Sequence, residues 1–256
     1  MKNIIFFVFA ISKLVAQPTA YSTQNAHSHN DYEQKRPFSE AFERNFGSIE
    51  ADVYLVDGEL YVAHDRKNIT KERTFKQLYL LPLLEKLKSS KPNKYPNKGQ
   101  LQLLIDLKTG GETLTVLESQ IKPYRQYFDK SQNKNAIRIV ISGSMPKPSE
   151  FVQFDKIFTF DGRKNIKYTP EESKRVVLVS ESFGTIGGWV PDGTLKPEVF
   201  TKASFFVDSL HKVGKKVRLW GTPNKINAFE ALSKLKVDYI GTDSLQLLHN
   251  YLTNHR

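Results

Sequence analysis

The chain has 256 residues, with 38 Lys and Arg against 27 Asp and Glu, a formal net charge of +11, and no cysteine. A charged fraction of 25% beside 39% hydrophobic residues excludes wholesale disorder and suits one large domain or two small ones. The missing cysteine excludes disulfides, Cys-ligated zinc, iron–sulfur clusters and thiol catalysis, and the basic balance favours an anionic partner without choosing one.

At the start of the chain, Met1-Lys2-Asn3 is a short basic segment, Ile4 to Ile11 an apolar run, and Leu14-Val15-Ala16 a group of small residues before Gln17. This reads as a secretory signal over 1–16, cut after Ala16, and predicts an exported, periplasmic or extracellular protein whose mature domain is 17–256. The apolar run is too short to span a bilayer, and the mature chain has no transmembrane candidate. Loss of Lys2 and Lys13 leaves a net charge of +9.

A short strand is expected at 25–29. Phe38, Ala41, Phe42 and Phe46 share one face of a helix over 37–46, which Gly47 ends. A strand follows at 48–56, then the hairpin-type turn Asp57-Gly58 and a pairing segment at 60–63. A helix covers 75–88 and a polar loop 89–99. Strands are expected at 101–107, 137–141, 157–160, 175–179, 216–220 and 237–242, with helices at 112–124, 197–213, 225–235 and 244–252. Eight evenly spaced strands alternating with helices predict an α/β fold, a single (β/α)8 TIM barrel, with an open doubly wound sheet as the alternative. No Gly-rich phosphate loop follows the first strand, which counts against dinucleotide binding.

Alternation along Ser48 to Val56 puts Ile49, Ala51 and Val53 on one face and Glu50 and Asp52 on the other, pointing into the barrel. Two carboxylates on an inward face repel unless positive charge lies between them, supplied by a divalent cation or by Lys and Arg. Asp106 and Lys108 share the inward face at the end of the next core strand. Three oxygen ligands, Glu50, Asp52 and Asp106, suit Ca²⁺ or Mg²⁺. His27 and His29 share a face at the end of the first strand, and His64 follows the hairpin. Together with the carboxylates they point to acid–base catalysis. His211, His249 and His255 fall in helices or the tail and are expected at the surface. A metal-dependent amidohydrolase is rejected, because no histidine occurs between His64 and His211 to complete its nitrogen ligands.

The run from His29 to Asp65, HNDYEQKRPFSEAFERNFGSIEADVYLVDGELYVAHD, resembles the glycerophosphodiester phosphodiesterase and phosphatidylinositol phospholipase C-like superfamily, in particular its uncharacterised bacterial branch with an HSHNDY start. The matching features are His27/His29, Gly47, Glu50-x-Asp52, Asp57-Gly58 and His64-Asp65. The later Glu-x-Lys of the family is Asp106-x-Lys108 here. Arg218 to Asn224 and Gly241-Thr242-Asp243 resemble its closing segments. The chain departs from the usual His-Arg-Gly start, where it has His-Asn-Asp, and this puts the glycerol substrate in question more than the chemistry.

The resemblance implies a metal-dependent phosphoric diester hydrolase acting on a small-molecule or lipid-derived phosphodiester such as a glycerophosphodiester. Glu50, Asp52 and Asp106 would hold Ca²⁺ or Mg²⁺. His27 or His29 would be base or nucleophile, His64 the acid, and Lys108 a charge stabiliser. Trp220 would pack on the substrate, against the alternative of a core aromatic. Arg163 would stand in for the missing phosphate-binding arginine, against that of a plain surface arginine. Ser180-Glu181-Ser182 ends a strand at the same mouth. A metal-independent lyase and a non-catalytic polyanion-binding barrel are the alternatives. No nucleic-acid partner is expected, since Lys88 to Lys98 is basic but rich in Pro and Asn and has no aromatic interleaving.

Overall fold

The computed structural model describes residues 17–89 and 100–254. The segment 1–16 expected as a signal, most of the polar loop at 89–99, and His255 lie outside the described residues. The elements are β1 (Ala26–Ser28), α1 (Ser39–Glu43), β2 (Ser48–Val56), β3 (Glu59–Val62), α2 (Leu81–Ser89), β4 (Gln102–Leu107), α3 (Thr113–Ile121), β5 (Arg138–Gly143), β6 (Phe158–Gly162), α4 (Pro170–Arg175), β7 (Val176–Ser182), α5 (Pro197–Lys212), β8 (Lys216–Trp220), α6 (Ile226–Lys234), β9 (Tyr239–Thr242) and α7 (Leu245–Asn254).

Eight strands, all but β3, pair in parallel in the order β1-β9-β8-β7-β6-β5-β4-β2, and β1 closes the ring by pairing with β2. The fold is therefore the expected single (β/α)8 TIM barrel. β3 is the antiparallel partner of β2, joined by a turn in which Asp57 has φ +49° and Gly58 φ +80°. The ring is joined most thinly at β1–β2 and β8–β9, with two register pairs each, and β1 and β9 share three.

The core has two parts. Outward strand residues such as Ile49, Ala51, Val53, Ile105 and Ile141 pack under the helices with Phe42, Phe46, Leu117 and Phe229. Leu104, Val140, Leu178 and Tyr239 form a separate buried cluster from β4, β5, β7 and β9. They fill the barrel interior as a layer of large side chains. The next inward positions toward the strand C-termini, Asp106 after Leu104, Ser142 after Val140 and Ser180 after Leu178, are polar, so the mouth is built on an apolar floor.

Two expectations at the helices need correcting. The predicted helix at 37–46 shortens to α1, because Phe38 takes φ +61° just before it. Phe38 N donates instead to buried Asp31, which also accepts from Ser28 and Tyr79. His211, expected at the surface, is buried. It continues the Val199, Ala203, Val207 stripe of α5 and its Nε2 lies 2.8 Å from Asp238.

Candidate active site

At the C-terminal ends of the barrel strands lies a cavity of about 450 Å³. Its walls bring together His29, Glu50, Asp52, His64, Asp106, Lys108, Arg163 and Trp220. Of the histidine, carboxylate, lysine, arginine and tryptophan site residues singled out in the sequence, His27 is the one outside this lining. It is fully buried, with Nδ1 2.8 Å from Ser48 Oγ and Nε2 2.7 Å from Glu50 Oε2. Burial, and the nearby Arg218 charge, push its imidazole down to about 4, so it is neutral at pH 7.

His29 stands one residue past the end of β1, where Asn30 turns the chain with φ +45°. Its Nδ1 lies 2.8 Å from Asp243 Oδ1. Burial lowers its pKa, but the Asp243 hydrogen bond and the Glu50 and Asp243 charges outweigh this and the net shift is upward. The carboxylate fixes the ring through Nδ1 and leaves Nε2 for proton exchange, the arrangement of an oriented base. Asp243 is itself held: Asn224 Oδ1 accepts from Thr242 Oγ1 and Asp243 N, which points its Nδ2 at Asp243 Oδ2, 3.2 Å away. The sequence reading left the choice of first-strand histidine open, and this geometry favours His29.

His64 is delivered by the β2–β3 hairpin to the open rim, its side chain 59% exposed. Nδ1 is 3.2 Å from the Tyr32 hydroxyl and 3.7 Å from Asp52 Oδ2. Tyr32 Oη lies 2.7 Å from Asp52 Oδ2 and 2.6 Å from Asn30 Oδ1, tying the two histidine segments together.

Between the histidines lie the carboxylates. Each of Glu50, Asp52 and Asp106 offers an oxygen within 4.8 Å of the others. Burial, then the Glu50 charge, pushes Asp52 up to about 6 against the pull of Lys108 and Tyr32. Glu50 is fully buried, which works against its charge, but Arg218 and His27 hold its pKa well below the usual carboxylate range. Lys108 Nζ lies 2.8 Å from both Asp52 Oδ2 and Asp106 Oδ2. Burial opposes its charge, yet the two aspartates keep its pKa above that of an ordinary lysine. Asp52 Oδ1 and Asp106 Oδ1 are buried and accept no hydrogen bond among the described residues. Orphaned carboxylate oxygens are costly, and two of them beside Glu50 fit a hard divalent cation.

Arg163 sits at the rim, with Nη1 3.7 Å from buried Asp161 Oδ2 and Nη2 3.4 Å from the Gly143 carbonyl. Trp220 is 46% exposed at the mouth and is no core aromatic. Ser180 and Glu181 also line the cavity, while Ser182 does not. The sequence reading passed over Arg218, Asp243, Asn30 and Tyr32 as site residues. Arg218 alternates with Trp220 along KVRLW, the same period-two signal that placed Glu50 and Asp52 inward, so it was there to be found.

Residues 19–154, more than half of the chain, match the AIM6-like phosphodiesterase domain. The chain belongs to this family. Among its relatives are an altered inheritance of mitochondria protein 6 homolog from Arthroderma benhamiae, 33% identical over 164 residues, covering 53% of this chain and 52% of that one. The protein of that name in Lachancea thermotolerans is 26% identical over 86% of this chain and 63% of its own length, and the Saccharomyces cerevisiae one 26% identical over 86% and 67%. The chain thus spans about half to two thirds of the curated relatives it matches.

A solved structure from Silicibacter pomeroyi, assigned as a glycerophosphoryl diester phosphodiesterase, superposes with a TM-score of 0.57 at 11% identity, covering 93% of this chain and 95% of that one, which shows the fold. The relatives also correct one expectation. They are proteins of yeasts and other fungi, named for the inheritance of mitochondria, and this overturns the reading of an exported protein. Among the described residues no helix is long and apolar enough to cross a membrane.

Proposed function

We propose that this AIM6-like domain is a phosphoric diester hydrolase that cleaves a small or lipid-derived phosphodiester, such as a glycerophosphodiester, by acid–base catalysis between His29 and His64. The observation that carries the reading is one cavity in which an Asp-oriented histidine and a rim histidine flank three carboxylates, two of them with orphaned oxygens.

In this reading Glu50, Asp52 and Asp106 would hold Ca²⁺ or Mg²⁺, which would supply Lewis-acid stabilisation of the charge building on the phosphate. Lys108 adds fixed positive charge beside the same carboxylates, a form of preorganised stabilisation that is commonly a large catalytic contribution. His29 Nε2 removes the proton of the attacking hydroxyl, either a neighbouring hydroxyl of the substrate or water. Asp243 stabilises the imidazolium that results. His64, steadied by Tyr32, delivers a proton to the departing alcohol oxygen. If the attack is internal, the product is a cyclic phosphate, and the two histidines exchange roles while water opens it. Each such acid–base partner contributes roughly 10²–10⁴-fold. Trp220 gives the alcohol an apolar wall and Arg163 meets the phosphate from the rim. His27 keeps no proton-transfer role here, because both of its ring nitrogens are engaged below the cavity.

The test is hydrolysis with EDTA, Ca²⁺ or Mg²⁺ of bis-p-nitrophenyl phosphate by the intact protein and Glu50→Ala, and of an alkyl glycerophosphodiester by the intact protein and His64→Ala. Activity that is absent with every metal, or that neither substitution changes, rejects the reading. A second reading rests on Lys108, whose ammonium already bridges Asp52 and Asp106. It would let the site run the first step without metal and release a cyclic phosphate, and retained activity in EDTA selects it.

A further inference from the structure

We infer that Arg218 is the cation that grips a non-bridging phosphate oxygen, held in place for that task by Glu50, Ser180 and His27. The inference deepens the reading above and rests on the cavity being a phosphodiester site. Arg218 is the central residue of β8, in register with Ser180 on β7 and Tyr239 on β9. Its side chain is 8% exposed, and that small surface faces the cavity it lines.

Each nitrogen of the guanidinium can be followed. Nε donates to Ser180 Oγ at 3.1 Å. Nη1 donates to Glu50 Oε2 at 2.7 Å and lies 2.7 Å from His27 Nε2. Nη2 has no protein acceptor among the described residues, and it is not one of the buried unpartnered atoms. It therefore opens on the cavity. A guanidinium has five N–H donors in a rigid planar fork, so fixing Nε and Nη1 also fixes the direction of Nη2. A donor held this way loses little side-chain entropy when an anion arrives.

The charge balance of the cavity supports the same role. Glu50, Asp52, Asp106, Asp161 and Glu181 place five carboxylates on the lining, against Lys108, Arg163 and Arg218. An entering phosphodiester anion needs a cation that is not wholly consumed by these acids. Lys108 is bound at equal distance by two aspartates, and Arg163 lies at the rim beside Asp161. Arg218 alone of the three combines a buried anchor with an unspent donor. His27 is then a positioning residue. Its ring closes the side of the guanidinium away from the substrate, and its Nδ1 contact with Ser48 sets the ring plane.

The experiment uses the full chain with ¹⁵N-labelled arginine, in EDTA, titrated with inorganic phosphate while the guanidinium resonances are followed by NMR. Arg218 signals, assigned from the Arg218→Lys variant, are expected to shift on saturation. The Lys variant, which keeps a cation beside Glu50 and so preserves the fold, is expected to bind phosphate at least tenfold more weakly. That is the low end of what a charged hydrogen bond contributes. It is also expected to lose at least tenfold in kcat/KM on bis-p-nitrophenyl phosphate, with thermal unfolding close to the parent. His27→Gln, a positioning change, is expected to move the Arg218 resonances before any phosphate is added. Absent phosphate binding, or binding that leaves the Arg218 signals and the Lys variant's affinity unchanged, overturns the inference. Phosphate binding through Arg218 in a protein that hydrolyses no diester with any metal would retain the inference and reject the hydrolase reading. Hydrolysis that Arg218→Lys leaves intact does the reverse.

Discussion

Replacing Asp243 with Asn removes the charge behind His29 while keeping the side chain's shape. The native pair is a 2.8 Å contact between His29 Nδ1 and Asp243 Oδ1, and the Asp243 side chain is 47% exposed. A hydrogen bond to a charged partner contributes about 1.5–3 kcal/mol. Solvent screening at a half-exposed carboxylate reduces this to about 1–2 kcal/mol, or roughly 5–30-fold in plateau kcat/KM. The amide can also turn its NH₂ toward Nδ1, which selects the tautomer with a protonated Nε2 and disables the base.

The pH profile gives the sign independently. The Asp243 carboxylate favours protonated His29 and raises its pKa. A base must be neutral, so the acid limb of kcat/KM in the parent lies above the ordinary histidine value. Asp243→Asn moves that limb to lower pH while the plateau falls. Asn224→Ala, which frees Asp243 Oδ2, should act in the same direction with a smaller amplitude. Stopped assays from pH 5 to 9 in constant ionic strength measure both quantities. A variant with the parental plateau and an unmoved acid limb refutes the assignment of His29 as base.

Three further outcomes are expected. Saturating Ca²⁺ or Mg²⁺ at about 100 times its Kd should stabilise the fold by about 2.7 kcal/mol, which at this size is an upward Tm shift of about 5–10 °C; calorimetry should find it absent in Glu50→Ala. His64→Ala should lower kcat by about 10²-fold on a diester with an alkyl alcohol leaving group and much less on a nitrophenyl one, whose oxyanion departs without a proton. Gly143→Ala should cost about 2 kcal/mol or more by denaturant unfolding and should weaken metal binding, because Gly143 has φ +72° and a Cβ there would collide with Asp106 Oδ1 and the Leu107 carbonyl.

Much of the site was readable because β-strands alternate. Glu50 and Asp52 are two residues apart on one strand and Asp106 pairs directly with Asp52 on the next, so face and register together forced them into one place. Alternation could not separate His27 from His29, which share a face. What separates them is that β1 ends at Ser28, leaving His27 locked beneath the mouth and His29 free above it. Alternation with Trp220 makes Arg218 legible as an inward residue, but its pairing with Glu50, 168 positions away, is not, because only barrel closure brings the two together. His211 was misplaced although its i, i+4 stripe with Val207, Ala203 and Val199 was present, because a histidine in a helix was weighed as polar and not by its position. The shortening of the helix at 37–46 depends on buried Asp31, a tertiary acceptor that no local pattern announces.

The placement of His29 on the seam has one more consequence. The proposed metal ligands Glu50, Asp52 and Asp106 ride on β2 and β4, which share six register pairs, whereas His29 and Asp243 hang from the three-residue β1 and the four-residue β9. Small openings of the barrel should therefore occur where the ring is stitched most thinly. They would part the base from its carboxylate while the acidic triad stays assembled. Warming or mild denaturant should then silence turnover before cation affinity declines, so that catalysis reports on closure of the ring and metal binding on survival of its thicker wall.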